Sequence, residues 1–262
     1  MEPKDKRGNE KADEMKEIAA DQITAVVLAG GFGRRVEHLL PDIPKPMAPV
    51  NGRPFLEWVI RYLAAQNIRR VVLSTGHLAA VVEKHFQRHP VSGVDVSWVP
   101  ENRPLGTAGG FLHASQHTKD KPPAWLVLNG DSLAVAPLDA LIQSLADPEI
   151  AGGILGVPMP EASRYGTILQ GANNKLIGFS EKKPGAGVIN AGVYLFRAST
   201  LKSFGDRLPL SFEADVFPAL IAQRARMKVC VTDAPFLDIG TPESLPLAEE
   251  FIRRNADCFQ EN

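Results

Sequence analysis

Three stretches of this 262-residue sequence carry residue types that act on phosphate. The first is Leu28-Ala29-Gly30-Gly31-Phe32-Gly33-Arg34-Arg35, followed by Lys45 between Pro44 and Pro46. Glycines let backbone N–H groups approach phosphate oxygens, and a fixed Arg and Lys neutralise the charge that builds as a phosphoryl bond breaks. The dinucleotide fingerprint fails, because Val36 stands where its third glycine belongs, and no GxxxxGK[ST] occurs. Hydride transfer and P-loop hydrolysis both lose ground. A glycine turn after a strand also has purely structural uses, and Lys45 between two prolines weighs against that reading.

The second signal is a pair of aspartates at strand ends, Asp131 in LNGDS and Asp238 in FLDIGTP. Nucleotide-bound Mg²⁺ takes one or two protein carboxylates and fills its other positions with phosphate and water, so two aspartates suffice. Each is equally at home as a turn former. The third is Pro100-Glu101-Asn102-Arg103-Pro104-Leu105-Gly106-Thr107-Ala108-Gly109-Gly110, a second glycine-rich loop opening into a helix over 107–116. The six histidines show no metal spacing; His77 follows a strand and borders the expected crevice, while His85 and His89 share a helical face. Ser74, Ser132 and Cys230 lack a neighbouring base, which argues for direct transfer without a covalent intermediate.

The elements that position these residues follow from hydrophobic periodicity. ITAVVLAGG from Ile23 reads as a central parallel strand ending in a tight loop. PFLEWVIRYLAAQN is a helix, RVVLST a strand, LAAVVEKHFQRH a helix, VDVSWV a strand, and AWLVLNGD a strand ending in a turn. That alternation implies an α/β, doubly wound, mostly parallel sheet, with both glycine-rich ends at one crevice. After about residue 150, GGILGVP, YGTILQ, KLIGFSE and GVINAGVYLFR are extended stretches fitting an antiparallel extension. SFEADVFPALIAQR (211–224) supplies a helix, and TPESLPLAEEFIRRN a closing helix capped by Thr241. Residues 1–22 mix both charge signs with few large apolar side chains and read as a mobile tail, the alternative being that KADEMKEIAADQ forms a helical turn or two against the domain through a Met and an Ile; residues 23–262 form one domain, with halves meeting near 150.

Composition excludes several classes. With 44% apolar and 23% charged residues the chain is an ordinary globular protein, and a net charge of −1 offers nothing to a polyanion such as nucleic acid. Two isolated cysteines, Cys230 and Cys258, fit a reducing cytoplasm, and neither a spanning apolar run nor a signal peptide is visible, so no membrane partner is expected.

Taken in order, VVLAGGFGRR, PDIPKPMAPVNGRPFLEW, ENRPLGTAGG, LNGDS, the Glu181-Lys182 pair, NAGVYLF and FLDIGTPES resemble the sugar-1-phosphate nucleotidylyltransferase superfamily over residues 23 to about 252. PDIPKPMAPVNGRPFLEW, PLGTAGG, GVINAGVYLF and SFEADVFPAL are most similar to the D-glycero-α-D-manno-heptose 1-phosphate guanylyltransferases. The resemblance implies a Rossmann-like fold with a sugar-binding extension. It also implies a reaction in which an NTP and a sugar 1-phosphate, with Mg²⁺, give an NDP-sugar and pyrophosphate.

Carried over by position, Arg35, Lys45 and Asp131 are the catalytic residues, and Asp131 and Asp238 the metal ligands. Leu28, Ala29, Gly30, Gly31, Gly33, Arg34, Glu101, Pro104, Gly106 and Thr107 join Arg35 and Lys45 in holding the nucleotide. Gly166, Glu181, Lys182, Asn190 and Tyr194 fall in the sugar-phosphate half, with Lys182 near the phosphate. Arg34 departs from the family, which usually has Thr there; it adds a phosphate contact or points to solvent.

Guanine presents two donors side by side, which an acceptor-only carboxylate at Glu101 pairs, whereas uracil would set a carbonyl against it. GTP is favoured if Glu101 points inward; a surface-loop Glu is the alternative. The expectation is a cytoplasmic guanylyltransferase acting on the heptose phosphate. Its rivals are a mannose 1-phosphate guanylyltransferase, an N-acetylated-sugar 1-phosphate uridylyltransferase, and a non-catalytic nucleotide-sugar sensor.

Overall fold

The near-continuous apolar run TAVVLA forms strand β1 (Thr24–Ala29), whose alternate side chains enter two different cores. Ala25, Val27 and Ala29 face one and Val26 the other, as a strand covered on both faces requires. The computed structural model describes residues 17–180 and 184–260. The next elements are β2 (Pro49–Val50), β3 (Arg53–Pro54), α1 (Phe55–Ala65), β4 (Arg70–Thr75), α2 (Ala79–Arg88) and β5 (Asp95–Pro100). They lead to α3 (Thr107–His117), β6 (Ala124–Asn129) and β7 (Ser132–Ala134). Strands β6, β1, β4 and β5 lie side by side, all parallel. Helix α1 covers one face through Phe55, Leu56, Val59, Ile60 and Leu63, and α3 the other through Ala108, Phe111 and Ala114.

The second half continues the same sheet. After α4 (Asp139–Gln143) come β8 (Ile150–Met159), β9 (Thr167–Gln170), β10 (Leu176–Ser180) and β11 (Gly187–Arg197). Strand β11 pairs antiparallel with both β6 and β8, and β9 and β10 extend it antiparallel, as the extension was expected to do. Between Asn190 and Tyr194 its register on β8 shifts, and Gly192 takes φ +72°, a bulge of the kind that re-aims side chains beside a site.

Two local expectations are corrected. SFEADVFPALIAQR is not one continuous α-helix: Phe212–Val216 is a π-helical turn and α5 spans Phe217–Ala222, because Pro218 has no N–H for the preceding turn. After β12 (Arg226–Val231, parallel to β8) and β13 (Phe236–Asp238), the closing helix α6 begins only at Ala248. Thr241 caps a tight turn instead, its hydroxyl accepting from the Ser244 N–H at 3.3 Å. Within residues 11–22, where a turn against the domain is the alternative to a tail, Ile18 and Ala20 pack on the core and Ala20–Gln22 form a 3-10 turn.

Candidate active site

The turn after β6 and the strand β13 are locked together by backbone pairing. The Gly130 N–H donates to Leu28 O at 2.9 Å, the Ile239 N–H to Asp131 O at 3.0 Å, and Asp238 stands opposite Ser132 in the β7–β13 ladder. This brings Asp131 and Asp238, far apart in sequence, to the end of β1. Lys45 reaches the same place from the other side and forms an ion pair with Asp131. Gly33 makes that approach possible: it holds φ +62°, and a Cβ there would stand 2.9 Å from Lys45 Cβ.

A pocket of about 320 Å³ runs from these residues to the second glycine loop. Leu28, Gly30, Gly31, Lys45, Glu101, Pro104, Gly106, Thr107 and Asp131 line it, together with Phe32, Pro46, Leu105 and Asn129. Glu101 is no surface-loop carboxylate. Ser74 Oγ donates to its Oε1 at 2.9 Å and the Leu105 N–H to its Oε2 at 3.1 Å. Gly30 and Gly110 leave no side chain in its way. Two of the carboxylate's roughly four acceptor sites remain for a ligand.

A second, wider pocket of about 870 Å³ is lined by Arg35, Asn129, Arg164, Tyr165, Gly166, Phe179, Ser180, Asn190, Glu213 and Asp238. Asn129 lines both pockets, so the two meet beside the aspartates. Burial, followed by the neighbouring Asp131 charge, pushes the Asp238 carboxyl above its ordinary range; the Gly240 N–H, Lys45 and Arg35 partly offset this. Two carboxylates that repel each other, with oxygen the only donor type, suit a hard divalent cation. No group of three or more His, Cys, Asp or Glu side chains is arranged to hold a metal among the described residues. Mg²⁺ would therefore need phosphate and water for its remaining positions.

Several expected residues sit elsewhere. Tyr194 lines neither pocket: it is 1% exposed, and its hydroxyl is engaged with Asn190 and Glu213. Arg34 lies over the Phe32 ring, 5.8 Å from its centroid, and Ala29 is buried in the core. Glu181 and Lys182 lie outside the described residues. The His77 ring lies tilted against Phe32, centroids 5.1 Å apart, beside the first glycine loop. The pockets also contain residues to which the sequence assigned no role. Asn129 was visible next to Asp131 in LNGDS, whereas nothing local distinguishes Arg164 or Glu213 from ordinary surface charges.

The sequence matches the nucleotidyl transferase family over residues 24–255. It is 33% identical over 220 residues to a D-glycero-α-D-manno-heptose 1-phosphate guanylyltransferase of Campylobacter jejuni, covering 84% of this chain and 95% of that protein. It is 32% identical over 246 residues to a mannose-1-phosphate guanylyltransferase of Mycobacterium tuberculosis, covering 93% of this chain and 66% of that one. Among solved structures, HddC from Yersinia pseudotuberculosis complexed with GMP-PN superposes with a TM-score of 0.75 at 30% identity, covering 87% of this chain and 98% of its own. No helix among the described residues is long and apolar enough to cross a membrane.

Proposed function

The chain belongs to the nucleotidyl transferase family, and from that premise we propose that it joins GTP to D-glycero-α-D-manno-heptose 1-phosphate, releasing GDP-heptose and pyrophosphate. The observation that carries this reading is the junction at Asn129. A pocket with a glycine loop, Lys45 and an inward carboxylate meets a wider one with Arg35, Asn190 and Gly166. Two substrates bound either side of that junction would bring a phosphate oxygen of one against the α-phosphorus of the other.

In the transfer, a phosphate oxygen of the sugar 1-phosphate attacks the GTP α-phosphorus in line, and the bond to the β-phosphate oxygen breaks. Lys45 and Arg35 neutralise charge as it moves to the departing pyrophosphate. Glycines 30, 31 and 33 let backbone N–H groups approach the triphosphate. Glu101 accepts from guanine N1–H and N2–H, a pairing that uracil cannot complete. Asp131 and Asp238 would hold Mg²⁺, which when bound supplies positive charge to the reacting phosphate oxygens. Gly166 and Asn190, with Glu181 and Lys182, serve the sugar phosphate. The two isolated cysteines support action in a reducing cytoplasm.

The test is pyrophosphate release with Mg²⁺, crossing GTP, UTP, dTTP, CTP and ATP with heptose, mannose, glucose and N-acetylhexosamine 1-phosphates. The reading expects activity concentrated at GTP with the heptose phosphate. Preference for mannose 1-phosphate would change the sugar, and preference for UTP would overturn the role given to Glu101. Inactivity across the grid, with nucleotide sugar still bound, would make the protein a sensor.

A further inference from the structure

Glu213 has no part in the transfer as described, yet it lines the second pocket beside Arg35, Asn190 and Asp238. Its carboxylate is held from behind. The Tyr194 hydroxyl donates to Oε1 at 2.9 Å, Asn190 Nδ2 donates to the same oxygen at 3.2 Å, and Ser211 Oγ donates to Oε2 at 3.2 Å. Each of these partners is itself fixed. Tyr194 is wedged between Phe212 and Phe217, with ring centroids at 4.9 and 5.1 Å. Burial and the Glu213 charge push its hydroxyl well above the usual tyrosine range, so it remains a donor at neutral pH. The β11 bulge gives Asn190 Oδ1 the Gly192 N–H at 2.9 Å, which turns the amide nitrogen toward Tyr194 and Glu213.

The chain leading into Glu213 is tied to the nucleotide loop. The Leu210 N–H donates to Leu105 O at 2.8 Å, Leu210 O accepts from the Ala108 and Gly109 N–H groups at 3.0 and 3.1 Å, and the Phe212 N–H donates to Thr107 Oγ1 at 3.1 Å. A carboxylate offers about four acceptor sites, and three are taken, leaving capacity toward the pocket. A fixed negative charge repels a phosphate and accepts from a hydroxyl. Arg164 in the same pocket suits the phosphate end, which assigns the hydroxyl end to Glu213.

We infer that Glu213 is a specificity-determining residue that accepts a hydrogen bond from one sugar hydroxyl of the sugar 1-phosphate, with Tyr194 and Asn190 as its positioning residues. This rests on reading the second pocket as the sugar-phosphate site. The test measures kcat and KM for wild type, Glu213→Ala and Glu213→Gln. Substrates are GTP with mannose 1-phosphate, heptose 1-phosphate, and a series of mannose 1-phosphates each lacking one ring hydroxyl.

Glu213→Ala raises the sugar-phosphate KM roughly tenfold to a hundredfold and leaves the GTP KM within about twofold; Glu213→Gln, which keeps shape and an acceptor, raises it less. One deoxy substrate, lacking the partner hydroxyl, is handled equally by wild type and variant. Tyr194→Phe moves the sugar-phosphate KM in the same direction, and its effect disappears in the Glu213→Ala background. An equal loss for every deoxy substrate, or no change in KM, overturns the assignment. If the wild type transfers nothing from GTP, the transfer reading fails separately. Calorimetric titration of mannose 1-phosphate into wild type and Glu213→Ala then decides the role of Glu213: weaker binding to the variant supports it, and equal or absent binding overturns it.

Discussion

The Lys45 ammonium rests on the Asp131 carboxylate inside the first pocket, a cation paired with an oxygen donor. Each keeps the other in place, and the proposed transfer gives each its own part. Lys45→Ala and Asp131→Asn are expected to lower kcat about a hundredfold or more, the scale for losing one electrostatic stabiliser. Steady-state pyrophosphate release checks this, and near-wild-type kcat in either variant removes that residue from the mechanism.

Glu101 is held by Ser74 and the Leu105 N–H while facing the first pocket, which the proposed function gives to the nucleotide. Glu101→Gln keeps the shape and replaces one acceptor oxygen with a donor. It is expected to lower kcat/KM for GTP roughly tenfold to a hundredfold and to leave the weak activity with UTP unchanged or higher. An equal drop for both nucleotides would mean that Glu101 only braces the loop.

Gly106 takes φ +79°, and a Cβ there would strike the Leu210 backbone. Gly106→Ala should therefore lower the melting temperature by several degrees and raise the GTP KM about tenfold. Gly31 is the internal control, since a methyl there meets nothing within 4 Å. Thermal melts that treat the two variants alike would contradict the account of the loop.

Glu57, only 3% exposed, accepts from Arg53, from Arg61 at 3.1 Å and from His85 at 3.2 Å. Burial raises its carboxyl, but the hydrogen bonds from Arg53, His85 and Arg61 outweigh that and bring it below its ordinary 4.5. A carboxylate lowered in the folded state stabilises above its unfolded value, and that stability is lost as pH falls through the folded one. Glu57→Gln is thus expected to cost about 1–3 kcal/mol at neutral pH, a difference that shrinks in acid. Urea melts near pH 7 and near pH 4 measure it, and a gap independent of pH would contradict the ion-pair account.

Much of the parallel half was legible because its signals are local. The β-branched run into AGG, the apolar face of α1 and the glycines opening α3 each announce an element, and strand ends in such sheets converge on one crevice. What stayed hidden depends on long-range pairing. The parallel match of β12 with β8 leaves no mark in either segment. Tyr194 looks in sequence like a ligand, and only the ring of Phe196, Phe212 and Phe217 around it makes it a buried support for Glu213. Pro218 marks the break before α5, but Glu213 and Ala214 before it and Ala219 and Leu220 after it favour helix and mask it.

The central claim is that the GTP α-phosphoryl group moves, with its nucleoside, to a sugar 1-phosphate. Isotopic labelling tests it directly, with GTP carrying the label at either the α- or the γ-phosphate, incubated with D-glycero-α-D-manno-heptose 1-phosphate and Mg²⁺. The account predicts α-label in GDP-heptose and γ-label in pyrophosphate, in equal amounts. Release of γ-label as orthophosphate, or no transfer of α-label to any sugar phosphate, would contradict it.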